Sequence, residues 1–136
     1  MFINEDDLYQ LIMEERLSSI IEDDATVVPN AIRTAQSIVE DYLAAKYDLE
    51  TAFSEQGENR NPSLVLYMTD IAIYTLLSRN NPKNISKLRE DRHTNAITWL
   101  KDVNKGLIVP ALPRHENNIP NIGIESGTQK KQNNTW

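Results

Sequence analysis

The sequence predicts an all-α fold: a small helical bundle of about five helices with an extended C-terminal arm. Only four of the 136 residues are glycine, and helix-forming residues dominate between the polar turns. Apolar residues recur at the spacing of one buried helix face over residues 31–45 and 85–103. A third apolar run, over residues 64–77, is too long for a single strand.

The N-terminal part predicts two short acidic helices, one from Glu5 to about Ile12 and one over Glu14–Ile21. Asn4 can accept hydrogen bonds from the free N–H groups at the start of the first helix. Residues 1–24 hold eight acids and one base, which gives this part of the chain a charge of −7. We interpret the acids as solvated residues at helix ends; weak binding of a divalent cation is the alternative.

The middle of the chain predicts a long amphipathic helix from near Pro29 to about Lys46. Proline suits the first turn of a helix, and the apolar side chains of this segment fill one side. The following segment, Glu50–Asn61, lacks periodicity and contains a glycine. It is therefore predicted to be a loop of about a dozen residues, long enough to carry a binding function.

Two further helices are predicted before the chain changes character. The fourth starts at Asn61–Ser63, runs to about Arg79, and is apolar on nearly every side. That pattern is typical of a central helix covered by neighbouring helices or by other subunits. The fifth runs from residue 85 or 86 to Lys105 and ends at Gly106, because glycine favours the helix C-terminus.

The C-terminal part is predicted to be an arm and a tail that bind partners. Residues 107–113 are apolar and interrupted by prolines, which predicts an extended conformation. Residues 114–136 are too polar to bury enough surface to order themselves. We therefore divide the chain into a helical domain, 1–109, and an extended polar tail, 110–136. The predicted partner-binding residues are Leu107, Ile108, Val109, Leu112 and Trp136. For Trp136, the alternative is that its placement is incidental.

Composition narrows the classes of function. The net charge of −6 argues against nonspecific binding to nucleic acid or anionic lipid, because such binding depends on clustered cations. The absence of cysteine excludes disulfides and thiolate metal sites. Apolar runs are shorter than the roughly 20 residues of a membrane helix, and the acidic N-terminus is unlike a signal peptide. We expect a soluble protein made inside the cell, without contact to a membrane.

Asp70 and Arg92 stand out as charges within apolar helix faces. Opposite charges on buried faces usually pair, because an unpaired buried charge is very costly. We therefore predict a core ion pair, Asp70–Arg92, that joins the fourth and fifth helices. The alternatives are an Arg92 that extends to solvent, one that pairs with Glu90, Asp41 or a neighbouring subunit, and an acid–base role.

The aromatic residues are predicted to be packing residues. Tyr42, Tyr74 and Trp99, together with Tyr47 and Tyr67, lie in predicted helices, where each ring supplies a large buried area. Tyr47 lies at the end of the third helix beside the predicted loop. Contact with a partner is therefore the alternative for this residue.

The sequence carries no motif for catalysis. It lacks the HExxH, EF-hand and phosphate-loop patterns, and neither His93 nor His115 has a metal ligand at helical spacing. Ser18 and Ser19 have no adjacent base that would activate a nucleophile. We expect no enzymatic activity, no metal and no cofactor.

Three segments together resemble one known family. Residues 40–47, EDYLAAKY, resemble its Y-L-x-x-[RK]-Y helix end, and residues 69–76, TDIAIYTL, resemble its D-I-A-x-Y-x-L centre. Residues 92–106, RHTNAITWLKDVNKG, are similar to its R-Y-x-x-A-I-x-W-L-x-x-V-x-x-G signature. The family is the phage Mu-type structural protein family, related to head-tail connector (adaptor) proteins. The resemblance covers about residues 1–109, and His93 stands where the family commonly has tyrosine.

The resemblance implies a structural role in a virion. Such connectors form a homo-oligomeric ring of about 12 copies that follows portal symmetry. The ring binds the portal protein and tail or neighbouring connector proteins at the head-tail junction, and genomic DNA passes through it without sequence-specific binding. An acidic wall suits that passage, because it repels the DNA backbone.

A small regulatory helix-turn-helix-like binding protein is the alternative function. The fifth predicted helix begins with Lys87, Arg89 and Arg92, which would supply cations to a recognition helix. Glu90, Asp91 and the acidity of the whole chain oppose that interpretation.

Overall fold

The structure is a computed structural model that describes residues 1–12, 26–80 and 82–115. Within these ranges the chain folds as a helical bundle, with an isolated antiparallel bridge between Tyr47 and Arg114. This confirms the predicted all-α class. The described α-helices are α1 (Glu5–Leu11), α2 (Val27–Leu43), α3 (Leu49–Ser54), α4 (Pro62–Asn80) and α5 (Lys87–Lys105), with short 3-10 helices over Gly57–Asn59 and Pro82–Asn84.

Helix α1 begins where the sequence predicts, at a cap formed by Asn4. The Asn4 side chain accepts from the Asp7 backbone N–H at 3.2 Å, and the Asp7 carboxylate accepts from the Asn4 N–H at 2.9 Å. This reciprocal pair satisfies two donors that a helix start leaves free. The predicted second helix, Glu14–Ile21, lies outside the described residues.

Helix α2 begins and ends two to three residues earlier than predicted. Val27 and Val28 are buried and form part of the first turn. Pro29 lies in the same turn, where backbone N–H groups have no acceptor within the helix, so the missing N–H of proline removes no hydrogen bond. At the other end the chain leaves the helix after Leu43, and the following turn carries Tyr47 into the core. Both differences arise from burial of residues that flank the periodic segment.

The predicted loop at 50–61 is wrong over its first half. Asp48 caps α3, since its carboxylate accepts from the Thr51 N–H at 3.2 Å and from the Thr51 hydroxyl at 2.6 Å. These hydrogen bonds lower the pKa of Asp48 and keep it charged at the positive end of the helix. Leu49 and Ala52 are buried on the inner side. A helix of six residues is too short for hydrophobic periodicity to reveal it.

Helix α4 is the centre of the bundle and packs against α1, α2 and α5. Ile71, Ala72 and Ile73 are consecutive and all fully buried, which is possible only when neighbours cover several sides of a helix. Helix α5 is capped at its N-terminus by Ser86, whose hydroxyl accepts from the Arg89 N–H at 3.2 Å, and at its C-terminus by Gly106 with φ +82°. Among the described residues, none of the helices has the length and hydropathy required to cross a membrane.

Candidate functional site

The surface between α4 and α5 contains a groove of about 460 Å³ that we call the α4–α5 groove. It brings together five of the residues singled out in the sequence: Tyr67, Asp70, Arg92, Trp99 and Ile108. The helices run side by side here because each buries an apolar face against the other. The complete lining is Leu66, Tyr67, Asp70, Arg92, Asn95, Thr98, Trp99, Asp102 and Ile108.

The lining of the groove includes an ion pair between the two helices. Arg92 Nε donates to Asp70 Oδ1 at 2.8 Å, and Arg89 Nη1 lies 3.7 Å from the same oxygen. The Asp70 side chain is only 3% exposed, whereas Arg92 is 31% exposed. Asp70 is thus held by Arg92, with Arg89 as a second cation that the sequence analysis did not assign to it.

Arg89 also connects the pair to α1. Its Nη2 donates to the backbone carbonyl of Leu11, the last residue of that helix. Carbonyls at a helix C-terminus have no partner within the helix and require one from elsewhere. The Asp70 site therefore joins three helices rather than two.

Aromatic rings of α4 and α5 pack against each other in the same interface. Tyr67 and Trp99 pack with ring centroids 4.9 Å apart. Tyr74 stacks on His93 with centroids 4.0 Å apart and an interplanar angle of 16°. Trp99 is buried and Tyr74 is half-buried, as is Tyr42 on α2. Burial lowers the pKa of His93, and the nearby Asp70 opposes that shift only in part.

The chemistry available in the groove is that of binding. Its walls combine aromatic and aliphatic surface with amide, hydroxyl and carboxylate groups, as is common where a protein side chain or peptide docks. Within residues 1–12, 26–80 and 82–115, no three histidine or acidic side chains lie close enough together to hold a metal ion.

Beside the groove, the first part of the arm carries apolar side chains into solvent. Leu107 is 73% exposed and Val109 is 68% exposed, while Ile108 lines the groove. The N–H groups of Leu107 and Ile108 both donate to the Asp102 carbonyl, at 2.9 and 3.3 Å. The chain is thus held in a tight turn after α5 that presents these side chains outward.

The second part of the arm returns to the body of its own chain. Leu112, expected to bind a partner, packs partly buried against the core of its own chain. The arm folds back because the Asp48 N–H donates to the Pro113 carbonyl at 2.8 Å, and Asn61 Nδ2 donates to the Ala111 carbonyl at 3.2 Å. Trp136, the last predicted partner-binding residue, lies outside the described residues.

A second buried ion pair lies between α1 and the segment that precedes α4 and was missed by the sequence analysis. Arg60 Nη1 and Nη2 donate to the two oxygens of Asp7 at 2.7 and 3.0 Å, and Nη1 also donates to the Phe2 carbonyl at 2.9 Å. Hydrogen bonding to Asp7 raises the pKa of Arg60. Asp7, interpreted as a solvated residue at a helix end, is in fact buried.

The spacing of Asn4 and Asp7 indicates a helix start but contains no information about Arg60. The two partners are separated by 53 positions, and Arg60 lies in a segment without periodicity. Only the folded chain brings them together.

The structure also bears on the helix-turn-helix alternative. Of the three cations at the start of α5, Arg89 and Arg92 face Asp70. Lys87 is exposed and lies 3.3 Å from the carboxylate of Asp91. A recognition helix needs cations directed at DNA, and two of these three are directed at the protein core.

Comparison with known proteins places the chain in a family. Residues 2–125 match the model of the family described as Bacteriophage Mu, Gp36, whereas no curated protein and no solved structure gives a significant match. The match continues past residue 109, so the expectation that the resemblance ends there is wrong. With nearly its whole length matched, the chain belongs to the bacteriophage Mu Gp36 family.

Proposed function

We propose that this protein is a structural head-tail connector subunit that assembles as a homo-oligomeric ring on the portal of the phage. About 12 copies would follow portal symmetry through head-to-tail contacts that close on themselves. The ring would lie at the head-tail junction of the virion, contact tail or neighbouring connector proteins, and line the passage for genomic DNA. On this proposal the protein is not an enzyme and has no cofactor.

The observation that carries the proposal is the exposed apolar surface at the end of α5. Leu107 and Val109 are both more than two-thirds exposed, and Ile108 extends the same surface into the α4–α5 groove. Apolar clusters beside a polar-rimmed groove are typical of protein–protein contact sites. In a chain of a phage family, a contact with other phage components is the simplest use of such a surface.

The net charge of the chain supports the proposal that the ring lines the passage for genomic DNA. The chain carries a net charge of −6, and Arg92 and Arg89 both engage Asp70. A surface with excess negative charge repels the phosphate backbone and does not retain DNA that slides past it. This property suits a passage wall and opposes sequence-specific DNA binding.

The proposal is tested by imaging the protein mixed with the portal protein of the same phage. Negative-stain images are expected to show rings of defined symmetry attached to the portal. The double variant Leu107→Asp/Val109→Asp is expected to remain folded and to lose the rings, because it places two charges in the contact.

The matched control is Leu88→Asp, which changes a similarly exposed leucine at the opposite end of α5. Rings that persist in the double variant would remove this surface from the proposal. Absence of rings in the unmodified protein, with the portal present, would overturn the connector role itself.

A further inference from the structure

A second groove, of about 540 Å³, lies between α1 and the first half of α4, and we call it the α1–α4 groove. Helix α1 contributes Leu11 to its lining, and α4 contributes Pro62, Val65, Leu66 and Thr69. Leu66 also lines the α4–α5 groove. The two grooves therefore meet at this side chain and form one continuous surface.

Exposed apolar side chains are concentrated along this surface. Leu66 is 37% exposed, Ile108 lines the α4–α5 groove, and Leu107 and Val109 flank Ile108 in the chain. These are four of the six large apolar residues that are exposed in the part of the chain that the structure describes. Single exposed apolar residues are common, whereas a contiguous set beside grooves is typical of a binding surface. We call these four residues and the two grooves the docking face.

The position of Leu66 on α4 makes its exposure informative. Helices α1, α2 and α5 all pack against α4, and Leu64 and Met68, two positions to either side of Leu66, are fully buried. A leucine on the central helix stays in contact with water only where cover by its own chain stops. An element of another molecule laid on the docking face would complete the cover of α4.

A buried hydroxyl in the α1–α4 groove also lacks a partner. Thr69 is 1% exposed and lines this groove, and its Oγ1 makes no hydrogen bond with any described residue. Nearly all buried polar groups in proteins are hydrogen-bonded, because an unsatisfied one destabilises the fold. A ligand that brings a hydrogen-bonding atom as well as apolar surface into the groove would satisfy this hydroxyl.

The charges of the two grooves suit a basic ligand. Each lining includes one aspartate and one arginine that pair with each other. Each also includes a further carboxylate, Glu58 in the α1–α4 groove and Asp102 in the α4–α5 groove, for which the described residues supply no ion-pair partner. Arg89, the second cation at Asp70, is buried and does not line the groove. Cations of a partner would be complementary to the two free carboxylates.

A second copy of this chain does not meet these requirements with the same face. Two docking faces brought together would form a two-fold contact, which closes as a dimer. That contact would also bring the acidic residues of one copy to those of the other, and like charges across an interface oppose association. The docking face is therefore suited to a different protein.

We propose that the docking face binds an apolar segment of a different phage protein in which Lys or Arg flanks the apolar side chains. The apolar side chains occupy the grooves that meet at Leu66, and the cations lie at Glu58 and Asp102. This inference rests on the proposed function, because the portal and tail supply the different proteins. It adds the surface that they contact and the chemistry of the segment that is bound.

Charge reversal tests the electrostatic part of the proposal. The double variant Glu58→Lys/Asp102→Lys is expected to bind the portal protein of the same phage about tenfold more weakly than the unmodified protein, because two attractions become repulsions. Isothermal titration calorimetry measures both affinities. The matched control, Glu40→Lys/Asp41→Lys, makes the same change in net charge at exposed residues outside both linings. Equal losses in the two double variants would overturn the docking face and leave the connector role intact.

A neutral substitution tests the apolar part. Leu66→Gln keeps the size and charge of the side chain and is expected to weaken portal binding about fivefold, because a polar group replaces apolar surface in the contact. Leu88→Gln is the matched control at an exposed leucine outside both linings and is expected to leave the affinity unchanged. Thermal denaturation verifies that both variants are folded. Unchanged affinity of folded Leu66→Gln would overturn the proposal.

A synthetic probe separates this proposal from the connector role. An amphipathic helical peptide of leucine and lysine, and its counterpart with glutamate in place of lysine, are titrated into the isotope-labelled full chain and followed by NMR. The lysine peptide is expected to shift the amides of Glu58, Leu66, Thr69 and Asp102, and the glutamate peptide to bind about tenfold more weakly. No binding of the lysine peptide, or shifts confined to other surfaces, would overturn the docking face. A protein that binds the lysine peptide in this way but not the portal would retain the docking face and lose the connector role.

Discussion

The α4–α5 interface and the C-terminal arm place their apolar side chains in opposite ways. At the interface Leu100 and Ile71 are fully buried, and polar groups such as Asp70 are paired. In the arm Leu107 and Val109 are exposed, and the attachment to the body combines hydrogen bonds to backbone carbonyls with the partly buried Leu112. The interface is thus stabilised by removal of apolar surface from water, whereas the arm is held by a few hydrogen bonds and one half-buried leucine.

This difference teaches which part of the molecule defines the fold and which part is available for assembly. Burial of apolar side chains from α4 and α5 is cooperative with the rest of the bundle, so it is lost only on global unfolding. Hydrogen bonds at a solvent-exposed seat contribute about 1 kcal/mol each, because water competes for the same groups. The arm can therefore open at a cost far below that of unfolding the body.

The largest expected effect comes from the same substitution made in both regions. Leu100→Ala creates a cavity in the core and is expected to lower the free energy of unfolding by about 2–5 kcal/mol. Leu107→Ala removes an exposed side chain and is expected to change it by less than about 0.5 kcal/mol. Urea denaturation of the dilute proteins measures both values. Similar losses in the two variants would contradict the contrast between core and arm.

The second prediction concerns the ion pair between Asp70 and Arg92. Asp70→Ala leaves Arg92 and Arg89 without their shared carboxylate and is expected to cost about 3 kcal/mol, because buried cations are left uncompensated. Asp91→Ala is the control, since it removes an exposed pair with Lys87 and is expected to cost less than about 0.5 kcal/mol. Thermal denaturation of both variants distinguishes them; an unchanged melting temperature for Asp70→Ala would exclude a stabilising role for the pair.

The third prediction separates opening of the arm from unfolding of the body. Leu112→Ala removes the half-buried contact of the arm and is expected to weaken its attachment by about 1 kcal/mol. Hydrogen exchange of the Asp48 amide, which donates to Pro113, is expected to become about fivefold faster, while the Leu100 amide is unchanged. Parallel acceleration of both amides would mean that the arm opens only with the whole bundle.

The smallest expected effect is a dependence of stability on pH through His93. Burial lowers the pKa of His93 in the folded state, so the unfolded chain binds a proton more readily. The contribution of neutral His93 to the stability of the fold is therefore complete above its pKa in the unfolded chain, about 6.5. It is lost as the pH falls through the lower pKa of His93 in the folded state. His93→Tyr retains a ring beside Tyr74 without this titration.

Melting temperatures at about pH 7.5 and about pH 5.5 test this expectation, since tyrosine does not titrate in that range. The decrease in melting temperature on acidification is expected to be smaller in His93→Tyr than in the natural protein. An equal decrease in both proteins would assign the pH dependence to other groups.

The sequence was informative about features that depend on helical periodicity. Asp70 and Arg92 were recognised as a candidate pair because each interrupts an apolar helix face, and the structure places them 2.8 Å apart. It was uninformative about Arg60, which lies in a nonperiodic segment 53 positions from Asp7. The helix α3 was missed because six residues contain less than two turns of the pattern.

The arm is a second case in which the sequence predicts local conformation but not the tertiary contacts. Its apolar and proline-rich composition predicts an extended segment with exposed side chains, and Leu107 and Val109 fit that description. Composition does not distinguish an arm that reaches a partner from one that returns to its own body. The inward position of Leu112 depends on hydrogen bonds to Asp48 and Asn61, which are distant in sequence.

By itself, the sequence determined the helical class, the positions of the long helices and the charges that interrupt their buried faces. These properties follow from interactions between residues three or four positions apart, which a linear pattern records. Only the tertiary structure decided that Arg60 neutralises Asp7, that Arg89 joins Arg92 at Asp70, and that the arm has a seat on the body. Such contacts depend on how separate elements pack in space, and no local spacing encodes that arrangement.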